Sequence, residues 1–205
     1  DKAHREGEGV SARVMARLIE AVEFEKIVVV DLHSEMVAGF FKRPVVHLYG
    51  AAVFVEKLRE LSEDLVVVAP DAGAAKRAQK FAEMLDVPLT YMAKKRNLEK
   101  LHTLANLSVV GDVSGKTAVL IDDVVTSWST LLKAAYALKE QRAKKVIACV
   151  THADFVEGTR EILVNSPLDH VYVSDSIQLP EAYRFAKLSI VSIAPLLAAQ
   201  IKKMS

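Results

Sequence analysis

Uninterrupted runs of β-branched residues, separated by helical spacing, constrain this chain most. Lys26-Ile-Val-Val-Val-Asp31 and Leu65-Val-Val-Val-Ala69 show no alternation of apolar and polar residues. A strand with one wet face alternates, whereas a strand covered on both faces by helices does not. Lys145-Val-Ile-Ala-Cys-Val150 is a third such run. Between them the apolar spacing is helical over Ser11–Val22, Ala51–Leu61, Ala75–Leu85 and Leu131–Leu138. A short helix is predicted near 157–165, and a last one over 195–204 with Pro195 in its first turn. Further strands are predicted over 87–93, 170–174 and 187–193, and Val109–Lys116 as a hairpin turning at Ser114-Gly115. Strand and helix in this alternation predict an α/β fold, doubly wound, with a largely parallel sheet. A domain boundary is expected at Tyr49-Gly50.

The 205 residues are enough for one or two domains, and 51% of them are hydrophobic, enough to bury a core. A formal net charge of +1 offers no bulk attraction for nucleic acid or an acidic membrane. The single cysteine, Cys149, excludes a disulfide framework and sits in an apolar run, where a buried thiol is expected rather than a nucleophile. No apolar run reaches membrane-spanning length and no signal peptide is visible, so the chain reads as cytoplasmic.

The chemistry concentrates in Thr117-Ala-Val-Leu-Ile-Asp-Asp-Val-Val-Thr-Ser-Trp-Ser-Thr130. It reads as an apolar strand ending on two acids, then a hydroxyl-rich turn, then a helix start. Ligands of open α/β sheets bind beyond the carboxyl ends of strands. A helix N-terminus offers free N–H groups and a positive dipole end to a phosphate. Thr126, Ser127, Ser129 and Thr130 add hydroxyl donors. Asp122 and Asp123 suit a sugar's hydroxyls or a hydrated Mg²⁺, not a phosphate. The stretch therefore suggests a ribose 5-phosphate site. The plainer alternative is a polar turn in which one of the acids caps the next helix.

Three further segments stand at strand ends. Pro70-Asp71-Ala72-Gly73-Ala74-Ala75-Lys76-Arg77 is a small-residue turn that lets an anion approach the backbone, with two cations close behind; it can equally be an ordinary tight turn before a solvated helix. Asp31-Leu-His33 places an imidazole where His33 with Asp71 could serve a Mg²⁺-nucleotide, through a phosphate or water contact if not by direct ligation. Lys94-Lys-Arg96 opens a polar stretch to about Asn106 that reads as a lid whose cations neutralise charge, or simply as a solvated loop.

Residues 117–130 resemble the phosphoribosyl-diphosphate-binding motif of type I phosphoribosyltransferases. Taken in order, the remaining segments resemble ribose-phosphate pyrophosphokinases over nearly the whole chain. Asp31-Leu-His-Ser-Glu-Met-Val-Ala-Gly-Phe-Phe41 is similar to that family's signature segment, and Pro70–Ala78 to its diphosphate loop. Lys94-Lys-Arg96 is similar to the start of its catalytic loop, and Val110–Lys116 to its lead into the ribose-phosphate loop. Val150-Thr-His152, Val173-Ser-Asp-Ser176 and Ala194-Pro-Leu-Leu-Ala198 resemble its later strand ends and closing helix.

The resemblance implies a type I phosphoribosyltransferase-like fold. Residues 1–50 would be the remnant of an N-terminal domain, 51–193 a C-terminal domain and 194–205 a closing helix. It implies transfer of the diphosphoryl group of ATP to the 1-hydroxyl of ribose 5-phosphate, with Mg²⁺ as cofactor. Asp122 and Asp123 would hold the ribose hydroxyls, and Thr126, Ser127, Trp128, Ser129 and Thr130 the 5-phosphate. Asp71, Ala72, Gly73 and Lys76 would contact ATP and its diphosphate; His33 and Asp71 would serve the metal; Lys94 and Arg96 would stabilise the transition state. The expected partners are ATP, ribose 5-phosphate and further subunits, in a homo-oligomer (a hexamer in that family) or beside an active synthetase.

The chain also departs from that family. It opens on Asp1-Lys2, where the family carries a further N-terminal stretch. Thr126 stands in place of Asp, Trp128-Ser129 in place of Ala-Gly, and Met36 in place of Gln. A loop blocked by Trp128 would make the chain a catalytically silent partner subunit. Thr126 on its own resembles the transferase version of the loop, a third reading.

Overall fold

The computed structural model describes residues 8–94 and 107–204. They divide into two compact units, residues 1–50 and 51–205.

In the first unit, helix α1 (Ser11–Glu20) precedes strand β1 (Ile27–Val30), a 3₁₀ turn over Glu35–Phe40 and strand β2 (Val45–Leu48). β1 and β2 pair in parallel from Ile27 opposite Val45 to Val30 opposite Leu48. Glu20 ties the end of α1 to the entry of β2, accepting the N–H groups of Lys42 (2.5 Å) and Arg43 (3.1 Å). The β-branched run of β1 predicts burial on both faces, yet all four of its residues are half-buried. Within this unit its sheet has two strands, which leaves part of each face uncovered.

The second unit contains α2 (Ala52–Arg59), β3 (Leu65–Ala69), α3 (Ala75–Leu85), β4 (Leu89–Lys94), β5 (Leu107–Val110), β6 (Thr117–Val125), α4 (Ser129–Glu140), β7 (Lys145–Ala153), α5 (Thr159–Val164), β8 (His170–Ser174), β9 (Leu188–Val191) and α6 (Ala194–Met204). Its seven-stranded sheet runs β5-β4-β3-β6-β7-β8-β9. Every pairing is parallel except that of β4 with β5. The doubly wound, largely parallel α/β expectation holds.

Strand alternation divides the core between the two faces. Val66, Val68, Ala118 and Leu120 join Leu131, Ala134, Ala135 and Leu138 of α4 in one apolar cluster. Val67, Val119 and Ile121, also buried, point to the other face, where α3 packs on β3 and β6.

The hairpin expected over 109–116 does not form. β5 runs antiparallel to β4 at the sheet edge, because both sides of β6 are taken by β3 and β7. Chain reversal after β5 falls on Gly111, at φ +127°, where a Cβ would lie 2.4 Å from Thr90 Oγ1. Only glycine fits there. Ser114-Gly115 does turn, with Gly115 at φ +73°, but the turn leads into β6 rather than joining two paired strands.

The order of strands locates a site. From β3 the chain moves outward through β4 to β5, then returns to the other side of β3 and moves outward through β6 to β9. The direction reverses between β3 and β6. In open α/β sheets the crevice beyond the carboxyl ends of such a strand pair receives the ligand.

Candidate functional site

β3 and β6 differ in reach. Their ladder closes with Val68 opposite Leu120, and β3 ends at Ala69. β6 continues to Val125, held on its other side by β7 as far as Ala153. The expectation that the strand ends on its acids is therefore corrected: Asp122 and Asp123 are strand residues that overhang the shorter β3. Side chains at successive strand positions face opposite ways. The group that meets both comes from the helix following β3.

That group is Arg77, the third residue of α3. Its Nη1 donates to Asp122 Oδ1 at 3.1 Å, and its Nη2 lies 2.8 Å from Asp123 Oδ2. The Asp123 N–H donates to Asp122 Oδ1 at 3.0 Å. Side-chain exposures of 16% for Arg77, 21% for Asp122 and 2% for Asp123 put the cluster mostly out of water. One guanidinium faces two carboxylates. Burial pushes the Asp122 carboxyl up to about 7; Asp123 adds to the rise and Arg77 opposes it. Neither acid caps α4, which has no side-chain cap, so the capping alternative is excluded.

The uncapped start of α4 leaves its first N–H groups to other acceptors. A cavity of about 110 Å³ opens there, lined by Asp122 and residues 124–131. Thr126, Ser127, Ser129 and Thr130 are exposed around it, with the Ser127 and Ser129 hydroxyls 3.1 Å apart. A Trp128 ring laid over this loop would block it, but the ring takes another course. At φ +58° the residue turns its ring into the core, where it is 2% exposed. The ring packs edge-on against Phe155 (centroids 5.5 Å apart), which packs on Tyr183 (5.9 Å). Its Nε1–H is buried and, among the described residues, has no hydrogen-bond partner.

At the end of β3, Asp71 Oδ1 accepts the Ala74 N–H at 3.0 Å and shapes the turn. Asp71, Ala72, Gly73 and Lys76 are exposed. Mg²⁺ usually takes one or two carboxylates, with phosphate oxygens and waters completing its shell. An exposed Asp71 suits that role. Among the described residues, no group of three or more His, Cys, Asp or Glu is placed to hold a metal unaided. His33 is exposed in the first unit and, as an imidazole, is a poor direct Mg²⁺ ligand. Lys94 ends β4; its side chain and all of Arg96 lie outside the described residues.

Arg77 is the residue of this cluster that sequence reasoning misassigns, since its place beside Lys76 suggests an anion-facing cation. Its reach to β6 follows from sheet order, which local sequence does not carry. Phe155 and Tyr183, which seat Trp128, are silent in sequence because their contacts are long-range.

An acid pair overhanging a switch point, followed by a hydroxyl-rich loop and an uncapped helix, suits a ligand that carries both hydroxyls and an anionic group. The sequence pattern of the phosphoribosyl transferase domain family matches residues 50–187, and the chain belongs to that family. Within it, the chain is similar to ribose-phosphate pyrophosphokinases. It is 38% identical over its full length to that of Thermosipho africanus, spanning 64% of that protein. It is 41% identical over 95% of its length to that of Synechococcus elongatus, spanning 59% of it. The crystal structure of phosphoribosylpyrophosphate synthetase from Mycobacterium smegmatis superposes on the whole chain with a TM-score of 0.87, at 37% identity, over 66% of that protein. The chain thus spans somewhat less than two thirds of the relatives it matches. Among the described residues, no helix is long and apolar enough to cross a membrane.

Proposed function

We propose that this protein is a ribose-phosphate diphosphokinase that converts Mg-ATP and ribose 5-phosphate to phosphoribosyl diphosphate and AMP. One observation carries the reading: a braced pair of carboxylates stands directly before an open, uncapped helix N-terminus ringed with hydroxyls. The carboxylates accept from adjacent ribose hydroxyls, while the α4 amides and the hydroxyls of residues 126, 127, 129 and 130 take the 5-phosphate. The names and extensive identity of the relatives support the same reading.

In this reading the ribose 1-hydroxyl oxygen attacks the β-phosphorus of ATP. The bond from that phosphorus to the α–β bridging oxygen breaks, AMP departs, and the hydroxyl proton passes to solvent. The chain supplies position and charge rather than covalent chemistry. The Asp71–Gly73 turn and Lys76 meet the diphosphate, and Lys94 and Arg96 neutralise charge as it moves to the leaving group. Asp71 would stand beside Mg²⁺ brought in with ATP, which would supply electrophilic stabilisation when bound, and His33 would contribute through a phosphate or water contact. Residues 51–193 act as one phosphoribosyltransferase-like domain, 1–50 as part of another, and 194–205 as a closing helix. A hexameric assembly and a cytoplasmic location belong to the same reading.

Trp128, the residue behind the silent-subunit alternative, is buried in the core and leaves the cavity at the loop open, which supports the active reading. Calorimetric titration of the chain with ribose 5-phosphate tests the site directly. Saturable binding that Asp123→Ala abolishes is expected; no binding at millimolar ligand would contradict the site.

A further inference from the structure

Arg77 links the helix that follows the Asp71 turn to the acids of β6. Through α3 it is covalently tied to the turn that Asp71 shapes, and through its two Nη atoms it touches both acids. A guanidinium is planar, with donors in a fixed fork, so one side chain can set the separation and tilt of two carboxylates at once. An ammonium at the same place is a point charge and cannot do so.

We infer that Arg77 is a positioning residue of the ribose 5-phosphate site: it holds the Asp122 and Asp123 carboxylates in the arrangement that two adjacent ligand hydroxyls must meet together. The inference deepens the ribose 5-phosphate reading given above and rests on it. Without the fork, two neighbouring carboxylates repel one another and turn apart, and the hydroxyls lose a preformed pair of acceptors. One negative charge in the cluster also goes uncompensated, which disfavours an incoming phosphate ester. Because Arg77 stands on α3, the same contact fixes the acids relative to the Asp71 turn, where the diphosphate donor is proposed to bind. Arg77 therefore sets the register between the two substrates as well as the shape of one subsite.

The test uses the protein as its gene encodes it, with ribose 5-phosphate affinity read by calorimetry. Arg77→Ala is expected to weaken binding about tenfold or more, the range of a lost charge-assisted hydrogen bond. Arg77→Lys, which keeps the charge but not the fork, is expected to weaken it about fivefold, between wild type and the alanine variant. Guanidinium ion at tens of millimolar is expected to restore most of the affinity of Arg77→Ala, whereas methylammonium at equal concentration restores none; a purely structural arginine would show no such selectivity. Binding by Arg77→Ala within about threefold of wild type, or full affinity in Arg77→Lys, would overturn the inference. Should Arg77→Ala fail to fold, Arg77→Lys carries the test by the same criterion. If wild type binds ribose 5-phosphate and Asp123→Ala does not, while the Arg77 variants bind normally, the inference alone has failed. If wild type does not bind, both have failed.

Discussion

Arg77 Nη2 lies 2.8 Å from Asp123 Oδ2, a contact between the first turn of α3 and an acid that is 2% exposed. It ties the helix that follows β3 to β6, and these two strands flank the switch point. Removing Asp123 still leaves Arg77 paired with Asp122, so the loss is that of one charge-assisted hydrogen bond, about 1.5–3 kcal/mol. Asp123→Ala is therefore expected to lower unfolding free energy by about that amount in urea titrations. Asp123→Asn, which still accepts from Arg77, should lose clearly less. Equal losses would show that the ion pair does not brace the fold.

Asp122 gives the opposite result at neutral pH. Its carboxyl titrates near 7 in the fold, chiefly through burial, against a usual 3.8. Between those values the folded chain binds more protons than the unfolded chain, so this group's contribution to stability is full below pH 3.8 and is lost as pH rises to about 7. Asp122→Asn removes that dependence and keeps an acceptor for Arg77. It should match wild type below pH 3.8, gain progressively up to pH 7, and hold a constant advantage above, of at most about 4 kcal/mol. Thermal unfolding from pH 3.5 to 8.5 measures this; a difference that is flat with pH would contradict it.

Ligand affinity should follow the same titration. Ribose hydroxyls donate, so they favour the ionised Asp122. Affinity for ribose 5-phosphate is expected to rise with pH through about 7, with proton release on binding near that pH. Calorimetry in buffers of different ionisation enthalpy counts the proton. Proton uptake would mean that the acid binds in its neutral form.

Trp128 couples the loop to the core. Trp128→Ala should cost about 3–5 kcal/mol, because the ring is buried against Phe155. Trp128→Phe should cost far less, since it deletes a buried Nε1–H that has no partner among the described residues, an arrangement carrying a penalty of about 1–3 kcal/mol. Chemical denaturation of the two variants decides; equal losses would show that the indole N–H is satisfied in solution.

These residues also mark what sequence could and could not convey. β3, α3 and β8 are legible because periodicity and flanking turns bound them locally. The overrun of β6 past Asp122 is not, since pairing with β7 decides it, and neither is the antiparallel edge position of β5. The acids and the hydroxyl loop are contiguous, so their nearness could be read directly. The brace on them comes from a residue 45 positions away in the chain, and the inward turn of Trp128 depends on a left-handed backbone and on Phe155.

The most direct test is AMP formation by the protein as its gene encodes it, supplied with Mg²⁺, ATP and ribose 5-phosphate. AMP is expected to depend strictly on ribose 5-phosphate and to fall at least about a hundredfold in Asp123→Ala through loss of substrate positioning. No AMP from wild type, with AMP appearing in the double variant Thr126→Asp, Trp128→Ala, would contradict this expectation and identify a subunit whose phosphate loop has been disabled.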